Sequence, residues 1–240
     1  MSWFANWFNS SYYHTLYKNR DEKEAQGFID NLVQHLQIPK GSKLIDIACG
    51  KGRHVTYFNS LGFDVVGIDL SPNSIASAKK NENATLQFEV HDMRKIYQKN
   101  HFDVVTNLFT SFGYFDNVQD EQKAIGAMGS NLKSEGLLII DFMNVKKAIT
   151  NLLSSEQKTI DGIFFSIKRK VKEGYIIKDI AITDGTIKQK YQEKVKAITL
   201  ANFTELINKS GLKIIDIFGN YKLEDFNTET SDRLILICKK

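Results

Sequence analysis

The stretch KLIDIACGKGRH, Lys43 to His54, runs an apolar strand straight into a turn that carries Gly50 and Gly52, with one acid, Asp46, inside the apolar run. Doubly wound parallel sheets bind ligands outside the carboxyl ends of their strands, where the first strand turns into its helix. Glycines there let the backbone approach a ligand closely, and the helix start offers unpaired N–H groups. The turn therefore reads as a nucleotide site. It lacks the G-x-x-x-x-G-K-[ST] pattern of a phosphate loop, and Val55 stands where the dinucleotide fingerprint needs its third glycine. Asp46 also argues against a pyrophosphate, which it would repel, and favours a nucleoside carrying positive charge.

Around this turn the pattern is α/β. From Asp21 onward, Ala25, Phe28, Ile29, Leu32, Val33 and Leu36 recur at the spacing of one helix face, with Asp21 and Glu24 resembling a capping box and Pro39 near the end. Apolar runs follow as KLIDIA, DVVGIDL, LQFEV, FDVVTNLF and LLIIDFM, separated by helical patterns. That alternation is the signature of a parallel sheet covered on both faces. Beyond Met143 the stretches GIFFSIKRKV, GYIIKDIAIT and GTIKQKYQEKVKAI alternate with period two around Glu173-Gly174 and Asp184-Gly185, which predicts three inserted antiparallel strands. A helix in ANFTELINKSG and strands in LKIIDIF and RLILIC close the pattern.

The chain of 240 residues, 42% hydrophobic, is long enough to bury a sizeable core as a single domain. Its 32 basic and 28 acidic residues leave a formal charge of +4 with no block of like charge, which favours neither nucleic acid nor membrane. Lys188, Lys190, Lys194 and Lys196 share one face of a strand and read as solvated. Cys49 and Cys238 suggest neither a disulfide framework nor a metal knuckle, the histidines are scattered, and no metal is expected; a reducing cytoplasm is. MSWFANWFNSSYYHTLYKNR has no basic start and no continuous apolar run, so it reads as neither signal peptide nor membrane span.

Two further acids stand at successive strand ends. Asp69, nineteen residues after Gly50, is placed to accept both ribose hydroxyls. In HDMRKI, Asp92 suits an adenine amino group and Met93 an apolar ring contact.

With these motifs in place, the chain resembles the class I S-adenosylmethionine-dependent methyltransferases, in particular the small-molecule branch with glycine N-methyltransferase and the amino-sugar N-methyltransferases. The resemblance runs from about Lys43 to Met143 through DIACGKGRH, GIDLS, HDM, FDVVTNLFTSFGYF and LKSEGLLIIDF, with Lys51 where a small residue or threonine often stands. It implies a Rossmann-like seven-stranded sheet whose last strand is antiparallel, S-adenosylmethionine as cofactor and S-adenosylhomocysteine as product. It implies cofactor contacts at Asp46, Ala48, Gly50, Asp69, Leu70, Asp92, Met93 and Leu108, with Gly52 in the same loop. The loop with Phe109, Ser111, Phe112 and Tyr114 then walls the substrate beside the transferable methyl.

One domain is expected over residues 1–240, with residues 1–40 as a helical cap and residues 155–198 as the antiparallel insert near the acceptor site or at a homodimer contact. Trp3, Phe4, Trp7 and Phe8 fit one helix face and suit core or interface packing. Tyr12, Tyr13, Tyr17 and Arg20 carry polar tips that are costly to bury without partners. In related methyltransferases an N-terminal segment closes over the cofactor, so Tyr17 or Tyr13 is expected beside the sulfonium as a positioning group and Arg20 at the methionine carboxylate. The expected function is methyl transfer to nitrogen or oxygen of a small molecule. The alternatives are a non-catalytic protein that binds the same cofactor and a nicotinamide-dependent oxidoreductase, the latter disfavoured by Val55 and Asp46.

Overall fold

Strand β1 (Lys43–Ile47) lies inside the larger sheet and is buried on both faces, Leu44 packing to one side and Ile45 and Ile47 to the other. It pairs in parallel with β2 (Asp64–Asp69), which continues to β3 (Leu86–Val90). On its other side it pairs with β4 (Phe102–Asn107), which continues to β5 (Leu132–Met143). The C-terminal strands β10 (Lys213–Phe218) and β11 (Arg233–Lys239) complete a seven-stranded sheet of order β10-β11-β5-β4-β1-β2-β3. Only β11, the last strand, runs antiparallel to its neighbours, as expected. The computed structural model describes residues 3–18 and 22–240. Arg20, Asp21 and its capping box, and the side chains of Trp3 and Phe4 lie outside the described residues.

Helices cover both faces because the strands present apolar residues both ways. On one face α3 (Glu22–Leu36), α4 (Arg53–Ser60) and α5 (Pro72–Ala78) bring Phe28, Leu32, Val55, Phe58 and Ile75 against Leu44, Val65, Phe88 and Ile235. On the other, α6 (Val118–Asn131) and α8 (Leu200–Lys209) bring Ile125, Met128, Phe203 and Ile207 against Ile45, Val105, Ile140 and Leu236. A fully buried side chain of this size contributes about 1.5–3 kcal/mol. Thr199 starts α8 with a reciprocal capping box to Asn202.

After the short α7 (Val145–Thr150) comes a separate antiparallel sheet, β6 (Ser155–Ile160), β7 (Ile163–Lys172), β8 (Tyr175–Asp184) and β9 (Ile187–Lys196), paired in chain order. It has four strands, not three. The extra one, β6, is a polar edge strand in SEQKTI with no apolar alternation to reveal it. Its turn is Asp161-Gly162, both with positive φ, the same chemistry as Glu173-Gly174. The third turn is Gly185-Thr186, because Asp184 is still paired with Ile187. The sheet docks on the main body where Lys196 N–H donates to the Gly113 carbonyl at 2.8 Å.

Two short helices precede α3: α1 (Trp3–Phe8) and α2 (Ser11–Leu16). They lie on the apolar face of the second sheet, where Trp7 and Leu16 pack with Phe165, Ile167, Ile180 and Ile182.

Candidate cofactor and methyl-transfer site

Beyond β1 the backbone takes a left-handed conformation at Ala48 (φ 62°), Gly50 (φ 58°) and Gly52 (φ 81°). The two glycines serve different ends. A side chain at Gly50 would enter open space at the cavity, whereas a Cβ at Gly52 would fall 2.6 Å from Phe88 Cζ. Gly52 is therefore a packing residue at the start of α4 and does not border the cavity.

Asp46 is buried, and its Oδ1 accepts a hydrogen bond from Thr106 Oγ1 at 2.6 Å. Burial pushes its carboxyl up to about 7; the Thr106 bond works against this and neighbouring Asp69 adds to it. At the end of β2, Asp69 accepts from Gly50 N–H at 2.9 Å and from Ser71 N–H at 2.8 Å, tying the first turn to the second. Burial raises Asp69 as well, partly offset by these backbone bonds. At the end of β3, Asp92 is held by Arg94, whose Nη2 lies 2.6 Å from Oδ2 and whose Nη1 reaches Asp120 at 2.8 Å. Burial would raise Asp92, but the Arg94 bonds leave it below its ordinary value.

After β4 the chain turns sharply through Phe109 and Thr110, both left-handed without being glycine (φ 56° and 62°). Phe109 stacks on His54 with centroids 4.4 Å apart and planes 9° apart. Arg53 donates to His54 Nε2 at 3.0–3.3 Å, so the neutral ring carries its proton on Nδ1.

The cap closes this region. Asn9, between α1 and α2, accepts through Oδ1 from Ser71 Oγ at 2.8 Å and from Asn73 N–H at 3.3 Å. Buried Glu193 of β9 accepts from Trp7 Nε1 at 2.7 Å and from the Tyr17 hydroxyl at 2.7 Å, and pairs with Lys178 at 2.6 Å. Burial, then the charge of Glu193, raises the Tyr17 phenol well above its ordinary value.

These parts enclose a cavity of about 390 Å³. Asp46, Ala48, Gly50, Asp69, Leu70, Asp92 and Met93 border it from the first three strand ends. Leu108, Phe109, Ser111, Phe112 and Tyr114 border it from the loop after β4, and Tyr13 and Tyr17 from the cap. Sequence reasoning missed Asn9, Phe8, Arg94, Lys178 and Glu193. Only Arg94, two residues from Asp92, had a local signal. Among the described residues no group of three His, Cys, Asp or Glu is placed to hold a metal, and no helix is long and apolar enough to cross a membrane.

A family model described as a methyltransferase domain matches residues 38–202. The chain belongs to that family. It is 28% identical over 232 residues to a glycine/sarcosine N-methyltransferase of Parasynechococcus marenigrum, covering 92% of this chain and 78% of that one. It is 28% identical over 125 residues to the dTDP-3-amino-3,4,6-trideoxy-alpha-D-glucopyranose N,N-dimethyltransferase of Streptomyces venezuelae, a match spanning 52% of each chain. A crystal structure of an S-adenosylmethionine-dependent methyltransferase from Clostridium acetobutylicum superposes with a TM-score of 0.79 at 18% identity, covering 95% of both chains, and shares the fold. The protein is thus an S-adenosylmethionine-dependent methyltransferase of the small-molecule branch. The non-catalytic and nicotinamide readings find no support in these matches.

Proposed function

We propose that the protein methylates the nitrogen of a small amine. The observation that carries this reading is the aromatic wall of the cavity, Phe8, Tyr13, Tyr17 and Tyr114. Phe8 lies 5.0 Å from Tyr13 and 5.1 Å from Tyr114, and Tyr13 lies 5.0 Å from Tyr17. Ring faces favour the positive charge that grows on an amine nitrogen as it takes a methyl group. An alcohol would instead need a base, and a phenol raised as Tyr17 is makes a poor one at neutral pH. The glycine/sarcosine and amino-sugar relatives named above are N-methyltransferases, which agrees.

S-Adenosylmethionine supplies a methyl group on a cationic sulfur, open to in-line displacement without a metal. In this reading the oxygens of Asp69, each already holding a backbone N–H, accept the ribose hydroxyls with their remaining lone pairs. Asp92, kept ionised by Arg94, takes the adenine amino group, with Met93 and Leu70 against the ring. Asp46 faces the ammonium group. Tyr13 and Tyr17 orient the acceptor, while Leu108 and Phe109 close the wall. A site of this volume suits a nucleoside cofactor. The chain acts as one cytoplasmic domain, with α1 and α2 as its cap and the second sheet as the platform that holds them.

Incubation with methyl-labelled cofactor and a panel of glycine, sarcosine, amino sugars and the matching alcohols tests this. Label on amine nitrogen is expected; label on alcohols alone would overturn it.

A further inference from the structure

We propose that Asp141 and Arg233 form a positioning pair that sets the wall of the methyl-transfer site from the far strands of the sheet. Asp141 lies two residues before the end of β5 and is fully buried; Arg233 starts β11, and the register Asp141↔Ile235 puts both on the same face of the sheet. Arg233 Nε donates to Asp141 Oδ1 at 2.7 Å, and Nη2 donates to Thr110 Oγ1 at 3.0 Å. Asp141 meanwhile holds both amides of the left-handed turn. Its Oδ2 accepts from Phe109 N–H at 2.8 Å and its backbone carbonyl from Thr110 N–H at 2.9 Å. The Tyr221 hydroxyl adds a third donor to the carboxylate at 3.3 Å, and its ring lies 5.3 Å from Phe109.

The pair is not needed to join its own strands, since β5 and β11 are already paired over seven residues, from Arg233↔Met143 to Lys239↔Leu137. Nor is a buried ion pair a reliable source of stability, because desolvation offsets its attraction. What it does hold is a strained turn. Two successive non-glycine residues in the left-handed region each cost on the order of 1–2 kcal/mol and persist only where the surroundings dictate them. That turn carries the site. Phe109 and Thr110 border the cavity, Phe109 stacks on His54 in the first turn of α4, and the Thr110 carbonyl accepts from the Tyr114 hydroxyl at 2.8 Å. The pair thus fixes one ring of the aromatic wall and the residue next to Leu108 without touching either substrate.

Arg233→Lys keeps the charge but cannot reach Asp141 and Thr110 together, and Thr110→Ala removes one acceptor while leaving the ion pair. Both are compared with wild type, saturated with S-adenosylhomocysteine, by hydrogen exchange read by mass spectrometry over residues 108–112. Steady-state kinetics then use the best amine from the panel above. The kinetic arm rests on the amine reading; the exchange arm does not. Exchange in that loop is expected to quicken about tenfold or more in both variants, with peptides of β5 and β11 unchanged. The kcat is expected to fall about 10- to 100-fold with the KM for cofactor held within about threefold. Loop exchange at the wild-type rate in either folded variant, or wild-type kcat despite faster exchange, overturns the proposal. Absence of turnover by the wild type counts against the amine reading alone, and the exchange result still decides the pair.

Discussion

Asn9 Oδ1 accepts a hydrogen bond from Ser71 Oγ at 2.8 Å, so the tip of the N-terminal cap is fastened two residues beyond Asp69. The cap therefore lies across the cavity as well as on the second sheet. Asn9→Ala removes this fastening and leaves the Trp7 and Tyr17 contacts to Glu193 in place. It is expected to raise the Kd for S-adenosylhomocysteine by about 1 kcal/mol equivalent with little change in melting temperature. Calorimetry with a melting curve checks it; unchanged affinity would show that the cap only packs. Deleting residues 1–20 is a harsher test, since it also exposes Phe165, Ile167, Ile180 and Ile182. The main sheet is expected to stay folded, with turnover lost and solubility reduced.

The two glycines of the first turn are expected to separate binding from folding. Gly52→Ala forces a methyl into the Phe88 ring at positive φ and is expected to cost about 1–3 kcal/mol of stability. Gly50→Ala meets no neighbouring atom, so it is expected to cost about 1–2 kcal/mol in backbone strain alone and to weaken cofactor binding more than Gly52→Ala does. Chemical denaturation and calorimetry on both variants decide this, and the reverse order of effects would contradict the division of roles.

Asp46, raised to about 7 by burial, makes cofactor affinity depend on pH. A raised carboxyl contributes stability that is fully present below the ordinary carboxylate value and lost as pH rises through about 7, so cofactor-free protein is relatively penalised at high pH. Binding of a ligand with an ammonium group draws on the ionised form. The Kd for S-adenosylhomocysteine is therefore expected to fall about tenfold between pH 6 and pH 8 and then level off. Asp46→Asn should flatten the curve; a flat wild-type curve would show that Asp46 does not face the ammonium group.

Much of this was legible because it is written locally. The parallel strands announce themselves as apolar runs, and Asp46, Asp69 and Asp92 stand at their ends by simple counting. Strand β6 was not legible, since SEQKTI is an edge strand with no fully buried side chain and Ile160 as its one apolar residue, although Asp161-Gly162 carried the same turn signal as Glu173-Gly174. The partners of the site were illegible for another reason. Trp7 meets Glu193 across 186 positions, and Arg233 meets Thr110 across 123. No pattern in either segment records the other, and Arg233 alone reads as a structural residue beside the last strand. The lysine face shows the same limit. Lys168, Lys170 and Lys172 join Lys188, Lys190, Lys194 and Lys196 by register across β8, while Lys194 and Lys196 find partners in Asp116 and Glu121.

The titration of S-adenosylhomocysteine into the intact chain and into Asp69→Ala tests the central assignment, that the cavity at the strand ends is the cofactor site, most directly. The wild type is expected to bind, and the variant to bind about 1.5–3 kcal/mol more weakly, the range for losing hydrogen bonds to a charged group. Equal affinity in an Asp69→Ala protein that melts like the wild type would contradict it.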